Sequence, residues 1–491
     1  MQSEKYIHIR FPVRRILLLL LITFTGLSSC KKVLDEEPKL IVEENFYNTA
    51  QEAAAGVNAI FPPLRLGAQG IASYNATLEC HTDYAFGRGS WAQFNSFSGL
   101  DAVNTNRVAD FWGSFYLAIR NANLVIKNVP NGTDISPEDI NHYVAEAKFM
   151  RAFCYFHLVR NWGGVPLRIE TTIEEKDIPK SSPEEVYALI ESDLVEAEEN
   201  LPTNNNAQPG RPTTWMAKTL LSDVLLTRER YQEARDKAQE VISSGLFSLV
   251  EIDSVGDFEK IFGVGAGVTS EEIFHFKYNR QDQGNYYPFI INHPSTGYFG
   301  DMGAYAQYAD STSVFFQNWN SNDLRKALWY PLDFGLGTAT LLQKKFIDPD
   351  AVNQYGAIND FPLYRYAEVL LIFAEADAHL GAVTAQAVES VNQVKRRSYG
   401  MDVNAASPID YQVASLTPET FIDTILQERA YEFQFEGKRW FDLKRTGKAA
   451  EILLTNKEVT IADKHLLWPI PLAEMNYNAA LDPGSDQNPG Y

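Results

Sequence analysis

Helix start signals recur along this chain and constrain its fold more than any other feature of the sequence. Ser136, Ser182 and Thr417 each precede a proline and a glutamate, so each offers a hydroxyl N-cap before a proline at the first helical position. Ser182 and Glu185 also have the spacing of a capping box. The sequence therefore predicts a mainly α protein.

Two segments are typical of helix pairs. Residues 217–245 and 366–400 both carry apolar or small side chains at intervals of three and four, interrupted by a turn. Gly245 and Gly381 are predicted C-caps. Such pairs bury their apolar faces by stacking on neighbours, so we expect a superhelix of tetratricopeptide-like helix pairs. Because the repeat spacing is irregular, a simple α-bundle is the alternative.

Two long stretches, 67–100 and 245–361, show no helical period and are rich in Gly, Asn, Ser and aromatic residues. Strand-like alternation is confined to 272–276 and, weakly, to 459–467. Long segments without regular structure are usually functional or disordered, and the aromatic content argues against disorder. We therefore expect few short strands and long loop-rich insertions, with 245–361 forming part of a ligand face.

Aromatic side chains concentrate in these insertions. Residues 281–335 contain thirteen aromatics in 55 positions, about twice the chain average of 12%. A flat ring beside amides and hydroxyls suits a carbohydrate, whose C–H face lies on the ring while its hydroxyls form hydrogen bonds. For any single ring, packing within its own loop is the alternative.

Trp91 and Trp319 are the clearest candidates, because their neighbours are small or hydrogen-bonding residues. Tyr298 is the third predicted stacking platform. The predicted polar partners of a ligand are Arg88, Asn95 and Asp301. Trp112 and Tyr116 stand at helical spacing and are predicted to belong to the core.

Enzyme signatures are weak in this sequence. It contains no His-Glu-x-x-His, no Gly-x-Ser-x-Gly and no phosphate-binding Gly-x-x-x-x-Gly-Lys-Ser/Thr motif. A glycosidase pair of carboxylates has no fixed sequence spacing, so the absence of a motif is weak evidence. The densest charged segment, 428–445, is predicted to be an ion-paired structural corner. We therefore predict no catalytic residue, no metal site and no cofactor.

The sequence has three cysteines. Cys80 and Cys154 could form one disulfide bond, and a single bond is too few for a disulfide framework. Cys154 lies in the stretch 143–161, which is apolar on two helical faces and is predicted to be a buried helix. A buried thiol is therefore the favoured interpretation of Cys154.

The amino terminus has the pattern of an export signal. Basic residues precede an apolar run from Ile16 to Leu27, which is shorter than the roughly 20 residues of a membrane span. The following Ser-Ser-Cys ends at Cys30 and resembles a bacterial lipoprotein signal, in which Cys30 carries the lipid; an ordinary signal peptide with a chance cysteine is the alternative. We expect a signal at 1–29 and one domain over 30–491.

The charge balance limits the partners. The chain has 63 acidic and 43 basic residues, a formal charge of −20. A surface this acidic repels phosphate backbones, so nucleic acid is not an expected partner.

Six groups of residues, in the same order along the chain, resemble one family. They are Cys30 with LDEEP at 34–38; EAKFMRAFCYF at 146–156; WGGVPL at 162–167; EVLLIFAEA at 368–376; ER at 428–429 with EGKRWFDL at 436–443; and WPIP at 468–471 with QNPGY at 487–491. Together they look like the SusD/RagB family of outer-membrane nutrient-binding lipoproteins.

The resemblance implies a SusD-like domain of about four tetratricopeptide-like helix pairs that carries a loop-rich ligand face. It also implies a lipid-anchored, surface-exposed protein of the Bacteroidetes outer membrane that binds glycans and delivers them to a SusC-like TonB-dependent transporter. A RagB-like peptide receptor is the alternative, and a surface glycosidase or a pure assembly protein is disfavoured. No ligand-binding residue transfers by motif, so the predicted site residues rest on the aromatic loops alone.

Overall fold

The computed structural model describes residues 46–204, 208–281, 284–381 and 383–491. The predicted signal at 1–29 and the lipidation site Cys30 lie outside the described residues. Residues Tyr47–Tyr491 form one compact unit. Within the described ranges, no helix is both long enough and apolar enough to cross a membrane.

Helices make up most of this unit. In chain order they are α1 Ala50–Asn58, α2 Pro62–Arg65, α3 Ile71–Cys80, α4 Ala92–Ser96, α5 Ala102–Asn128, α6 Pro137–Trp162, α7 Pro183–Asn200, α8 Thr214–Thr227, α9 Tyr231–Ser243, α10 Glu259–Phe262, α11 Tyr287–Ile291, α12 Val314–Asn318, α13 Tyr366–His379, α14 Ala385–Ser398, α15 Pro418–Glu432, α16 Arg439–Arg445, α17 Ala449–Lys457 and α18 Leu472–Tyr477. The strands are β1 Phe86–Gly87, β2 Glu272–Phe276, β3 Tyr298–Asp301, β4 Gln307–Asp310, β5 Trp329–Pro331, β6 Thr340–Gln343 and β7 Phe361–Arg365.

The three predicted helix starts are confirmed. Ser136, Ser182 and Thr417 are the N-cap residues of α6, α7 and α15, each followed by its proline at the first helical position. The capping box at α7 is complete, because Glu185 N–H donates to Ser182 Oγ and Glu185 Oε2 accepts from Ser182 N–H at 2.8 Å. These caps satisfy backbone groups that a helix end leaves without partners.

The long helices stack one on the next. Helix α5 packs on α6, α6 on α7, α7 on α8 and α8 on α9; α9 then packs on α13, which contacts α14 and α15. The predicted pairs are α8–α9 and α13–α14. Gly245 follows α9 with φ +65°, and Gly381 follows α13, before α14, with φ +85°. The predicted mainly α architecture of stacked helix pairs is confirmed.

The prediction that 67–100 lacks helix is wrong in part. Residues Ile71–Cys80 form α3, and every residue of this helix is buried. A helix buried on all sides has no polar face, so it shows no 3.6-residue hydrophobic period. Within the helix, Thr77 Oγ1 donates to Ser73 O at 2.9 Å.

The insertion between α9 and α13 contains all strands except β1. The predicted strand at 272–276 is confirmed as β2, which pairs antiparallel with β7. A second, four-stranded sheet has the order β1-β4-β6-β5. The weak strand prediction at 459–467 is wrong, since that segment is irregular with a short turn at Asp463–His465, where His465 Nδ1 accepts from Ala462 N–H.

The charged segment 428–445 is a buried ion-pair network, as predicted. Glu432 is contacted by the guanidinium groups of Arg325, Arg365 and Arg397, the first two at 3.0 and 2.9 Å. The side chains of this network are almost fully buried. Gly437, at φ +74°, faces Asn75, and a Cβ at this position would lie 2.3 Å from Asn75 Oδ1. A side chain there would therefore clash.

Cys80 and Cys154 are both buried and are not bonded to each other, so the alternative of a Cys80–Cys154 disulfide is wrong. The prediction that Cys154 is a buried thiol is confirmed. The predicted core residue Trp112 is buried. Tyr116 packs on it with ring centroids 4.8 Å apart, and the Tyr116 hydroxyl donates to Pro166 O at 2.7 Å.

Candidate functional site

The four-stranded sheet gathers side chains from distant parts of the chain. Strand β1 pairs with β4, with Phe86 opposite Tyr308, and their rings are stacked with centroids 5.4 Å apart. Arg88 continues this pairing, because its N–H donates to Ala306 O at 2.8 Å. The sheet is anchored to buried α3 through Gln307, whose Nε2 donates to Ala76 O at 2.8 Å. Arg88 is thereby held on a rigid support.

Arg88 is the centre of a cluster of half-buried side chains. Its guanidinium carbon lies 4.0 Å from the centre of the Tyr305 ring and 5.4 Å from that of Phe334. The His293 and Tyr305 rings have centroids 4.4 Å apart. Arg88 Nη1 is buried and has no hydrogen-bond partner among the described residues. Unpaired buried polar atoms are rare in folded proteins, so this nitrogen requires an explanation.

Tyr305 adopts a backbone conformation that bulky residues avoid. Its φ is +35°, which for a non-glycine residue is typical of strain stored at a functional site. The surrounding backbone holds it there, since Tyr305 N–H donates to Asn292 O at 3.0 Å and Ala304 N–H donates to Phe289 O at 2.7 Å. These bonds fix the ring beside Arg88.

Phe334 is carried on the turn between β5 and β6. Asp333 Oδ1 accepts hydrogen bonds from Gly335 N–H at 2.8 Å and Gly337 N–H at 3.0 Å. These backbone hydrogen bonds hold the pKa of Asp333 below its ordinary value. The Asp333 side chain therefore stabilises the backbone of this turn. Phe334 packs edge to face against Tyr305, with ring centroids 5.1 Å apart.

His293 is a neutral member of this cluster. Desolvation and the nearby positive charge of Arg88 lower the pKa of His293 below its ordinary value. Its Nδ1 accepts from Ser295 N–H at 3.1 Å, so the neutral ring carries its proton on Nε2. The imidazole thus offers one N–H donor.

A second cluster surrounds Trp91. The Arg107 guanidinium carbon lies 3.9 Å from the centre of the Trp91 ring, and the Tyr286 side chain is within electrostatic range of Arg107. Tyr286 in turn contacts Phe289 and Tyr355 at 5.4 and 5.2 Å between ring centroids. We call the two clusters together the aromatic face: Phe86, Arg88, Trp91, Arg107, Tyr286, Phe289, His293, Tyr305, Tyr308, Phe334 and Tyr355.

The prediction that Trp319 is a stacking platform is wrong. Its side chain is 2% exposed. One face lies parallel to the Tyr431 ring, and Nε1 donates to Asp323 Oδ2 at 2.9 Å. Its polar neighbours in sequence turn outwards while the indole packs inwards, so it is part of the core.

The other predicted residues have mixed outcomes. Trp91 is also buried, at 9% exposure, and Arg107 lies over its ring, so it offers little open ring surface, contrary to the prediction of a stacking platform. Asn95 is structural, contrary to prediction, because Oδ1 accepts from Gly87 N–H and Nδ2 donates to Gly87 O, both at 2.7 Å. Tyr298 is half-buried and meets Tyr330 edge to face, and Asp301 is exposed. In the described part of the chain, no hydrogen bond or ring contact joins Tyr298 or Asp301 to Arg88.

Of the six predicted residues, the structure thus places Arg88 and Trp91 on the aromatic face. The residues around them were not predicted individually from the sequence. Four of these residues nevertheless lie in the aromatic-rich segment 281–335 that the sequence analysis selected: Tyr286, Tyr305, Tyr308 and Phe334. Phe86 and Arg107 have no local signal. Only the β1–β4 pairing and the packing of α5 against the Trp91 turn bring them to the site.

A cavity of about 440 Å³ lies elsewhere and is lined in part by His81, Phe97 and Trp468. Both ring nitrogens of His81 are already hydrogen-bonded, since Nδ1 is bonded to Phe94 O at 3.0 Å and Nε2 accepts from Trp468 Nε1–H at 3.2 Å. Neither Arg88 nor Tyr305 lines it. The aromatic face, with partly exposed rings and an unpaired guanidinium nitrogen, is therefore the better candidate for ligand binding.

The aromatic face has the chemistry of a binding site. Its rings offer flat apolar surfaces, and Arg88, His293 and Arg107 offer N–H donors. Among the described residues, no group of three or more His, Cys, Asp or Glu side chains is arranged to hold a metal ion. The arrangement can hold a ligand that has both apolar faces and hydrogen-bond acceptors.

Two family models match this chain. One, described as the SusD family, matches residues 298–491. The other, described as starch-binding associating with outer membrane, matches residues 34–226. The two matched segments lie in different halves and together span most of the sequence.

Similar curated proteins and solved structures agree with these matches. A SusD-like protein of Formosa agariphila, P2, is 29% identical, with 96% of this chain and 98% of that protein covered. A SusD-like protein of Bacteroides ovatus is 26% identical over 72% of this chain and 68% of its own length.

Two solved structures share the fold. A laminarin-binding SusD-like protein has a TM-score of 0.73 and 24% identity, with 90% of this chain and 99% of that chain covered. Surface glycan-binding protein A of Bacteroides thetaiotaomicron, in complex with laminarihexaose, has a TM-score of 0.75 and 22% identity, with the same coverage.

Proposed function

Because this chain belongs to the SusD/RagB family, we propose that it is a non-catalytic, glycan-binding lipoprotein of the outer membrane whose ligand lies on the aromatic face. The family model over 34–226 carries an outer-membrane description, which supports this location. Two proteins of the same fold are described as binding laminarin or laminarihexaose.

The observation that carries the proposal is the arrangement of rings and donors around Arg88. Tyr305 and Phe334 present partly exposed rings with an angle of 63° between the ring planes. A sugar lying on one ring would place its hydroxyls near the Arg88 and His293 donors. With about 0.5–1.5 kcal/mol for each ring contact beyond area burial and a few hydrogen bonds, such a site reaches roughly millimolar to micromolar affinity. This range suits capture and release.

Delivery to a transporter is the second part of the proposal. The apolar run that ends at Leu27, followed by Ser-Ser-Cys30, supports a lipid-anchored mature chain beginning at Cys30. Acyl chains contribute about 0.8 kcal/mol per buried CH₂, so more than one chain anchors a protein stably without a spanning helix. We infer that the protein acts at the cell surface with a SusC-like TonB-dependent transporter.

The test is affinity electrophoresis of the mature chain, residues 30–491, in gels containing individual polysaccharides. Retardation by at least one glycan is expected, and Phe334→Ala should weaken the affinity about tenfold through loss of one ring platform and its desolvated contacts. Tyr477→Ala is the control, because Tyr477 is 58% exposed and lies outside the aromatic face; its retardation should equal that of wild type.

Two outcomes would reject the proposal. Release of reducing ends from a retarding glycan over time would make the protein a glycosidase. Binding of peptides without retardation by any glycan would favour the peptide receptor instead. Co-purification with a TonB-dependent barrel from membranes tests the transporter partner, and recovery without such a barrel contradicts that part.

A further inference from the structure

Most arginines in the described part of this acidic protein are paired with carboxylates. The described residues include nineteen arginines, and fifteen of them have an Asp or Glu oxygen within 4.0 Å. The remaining four, without such a partner among the described residues, are Arg65, Arg88, Arg107 and Arg120. Two of these four, Arg88 and Arg107, belong to the aromatic face. Half of the arginines without a carboxylate partner among the described residues therefore lie at the candidate site.

Both guanidinium groups are held in place by rings. Arg88 lies over Tyr305, and Arg107 lies over Trp91. Arg107 donates to Asn104 Oδ1 and to Ser90 Oγ, the latter at 3.1 Å, so its hydrogen-bond partners are neutral, although the carboxylates of Asp101 and Asp110 act on it from beyond ion-pair distance. Arg88 Nη1 has no partner at all in the described part of the chain. Arg88 is therefore the cation of this face that lacks both a carboxylate partner and a hydrogen-bond partner for one of its nitrogens in the described ranges.

No carboxylate among the described residues forms an ion pair with Arg88. Asp333 Oδ1 accepts from the backbone of its own turn, and Asp310 Oδ1 accepts from Thr312 N–H at 2.7 Å and from its hydroxyl at 2.6 Å. Asp301 is exposed on β3. None of them has an oxygen within 4.0 Å of an Arg88 nitrogen. A cation withdrawn from water without a counter-ion is costly, and a bound anion removes that cost.

We propose that the aromatic face takes an anionic glycan, one that carries a carboxylate or a sulfate ester, with Arg88 as the principal contact of the charged group. This rests on the proposed function, because it names the class of glycan held at the same site. The guanidinium fork matches the paired oxygens of a carboxylate or sulfate, and hydrogen bonds between ionised groups are about twice as strong as neutral ones. The rings then hold the apolar face of the same or the adjacent sugar.

The experiment compares three ligands by calorimetry on the mature chain: oligogalacturonate for the carboxylate, carrageenan oligosaccharides for the sulfate, and laminarin as the neutral glycan. At least one anionic ligand is expected to bind more tightly than laminarin. Its affinity should fall between about 50 mM and about 300 mM NaCl because an ion pair at a partly exposed site is screened, whereas laminarin affinity should not change.

Arg88→Gln removes the charge and keeps a hydrogen-bonding side chain; it should weaken the anionic ligand about tenfold or more. Arg120→Gln is the matched control, because Arg120 is exposed, has no carboxylate partner in the described ranges, lies outside the aromatic face and changes the net charge equally. It should bind like wild type. If Arg88→Gln fails to fold, as judged by circular dichroism, the salt dependence of wild type decides instead.

The failures are distinguishable. Binding of laminarin without binding of either anionic ligand overturns this inference and leaves the proposed function standing. Binding of an anionic ligand that is insensitive to Arg88→Gln also overturns it. If none of the three ligands binds and no polysaccharide retards the protein in the affinity gels, the proposed function itself is wrong.

Discussion

The indole of Trp319 lies against the phenol ring of Tyr431, with ring centroids 4.4 Å apart and an angle of 8° between the ring planes. Tyr431 belongs to α15, so this contact ties the loop-rich insertion to the helical stack. The pair shows why a tryptophan surrounded by polar residues is structural here.

Trp319→Ala should therefore lower the free energy of unfolding by about 3–5 kcal/mol, the usual cost of removing a large buried ring. Trp319→Phe keeps part of the packing and should cost less. Urea unfolding measures both. If Trp319→Phe folds with wild-type stability but loses glycan affinity, the indole contacts the ligand and our interpretation of the pair is incorrect.

The Tyr305→Gly variant tests whether Tyr305 contributes to glycan affinity independently of its effect on the stability of the fold. The backbone of Tyr305, at φ +35°, is unfavourable for a bulky residue, and such strain costs of order 1–3 kcal/mol that glycine largely avoids. We expect a free energy of unfolding within about 1 kcal/mol of wild type, since relief of strain offsets the lost ring contacts. Glycan affinity should fall about tenfold by calorimetry, whereas Tyr305→Phe, which keeps the ring, should bind nearly as well as wild type. Wild-type affinity in the glycine variant would remove Tyr305 from the site.

Glu432→Gln should be strongly destabilising. The carboxylate contacts three buried guanidinium groups, and each of these arginines keeps another carboxylate partner. Glu432→Gln therefore removes the ionic part of three buried contacts, and breaking a buried ion pair costs about 3–5 kcal/mol. Glu451→Gln, at an exposed position, is the control and should change the free energy of unfolding by less than about 0.5 kcal/mol. Equal unfolding midpoints for the two variants would show that the network does not stabilise the fold.

Glu79 should give the protein a defined pH dependence of stability. Burial raises the pKa of Glu79 to about 7 from 4.5, although hydrogen bonds from Tyr84 and from Gly437 N–H act in the opposite direction. Between pH 4.5 and about 7 the folded state therefore holds a proton that the unfolded state has lost. Because the unfolded state binds fewer protons there, stability falls as pH rises.

The measurement is the difference in unfolding free energy between wild type and Glu79→Gln across this range. Wild type should lose stability relative to the variant as the pH rises from about 4.5 to about 7, and the difference should level off above that. A difference that is independent of pH would mean that Glu79 ionises in the folded protein at its ordinary pKa.

The candidate site was only partly predictable. The sequence singled out the aromatic-rich segment and Arg88, yet it ranked Trp319 above Tyr305 because it judged each ring by its neighbours in sequence. Tyr305 reaches Arg88 through the pairing of β1 with β4, and Phe334 reaches it through the β5–β6 turn. Neither relationship has a local signal.

The sequence by itself determined where the helices begin, which of them pair, and that 428–445 is an ion-paired corner. These features depend on caps and periodicities within a few residues, so local chemistry specifies them. Only the tertiary structure decided that Ile71–Cys80 is a helix, that Trp319 faces inwards and that Arg88 keeps no carboxylate partner among the described residues. Burial on every side erases the hydrophobic period, and exposure depends on contacts between residues far apart in the chain.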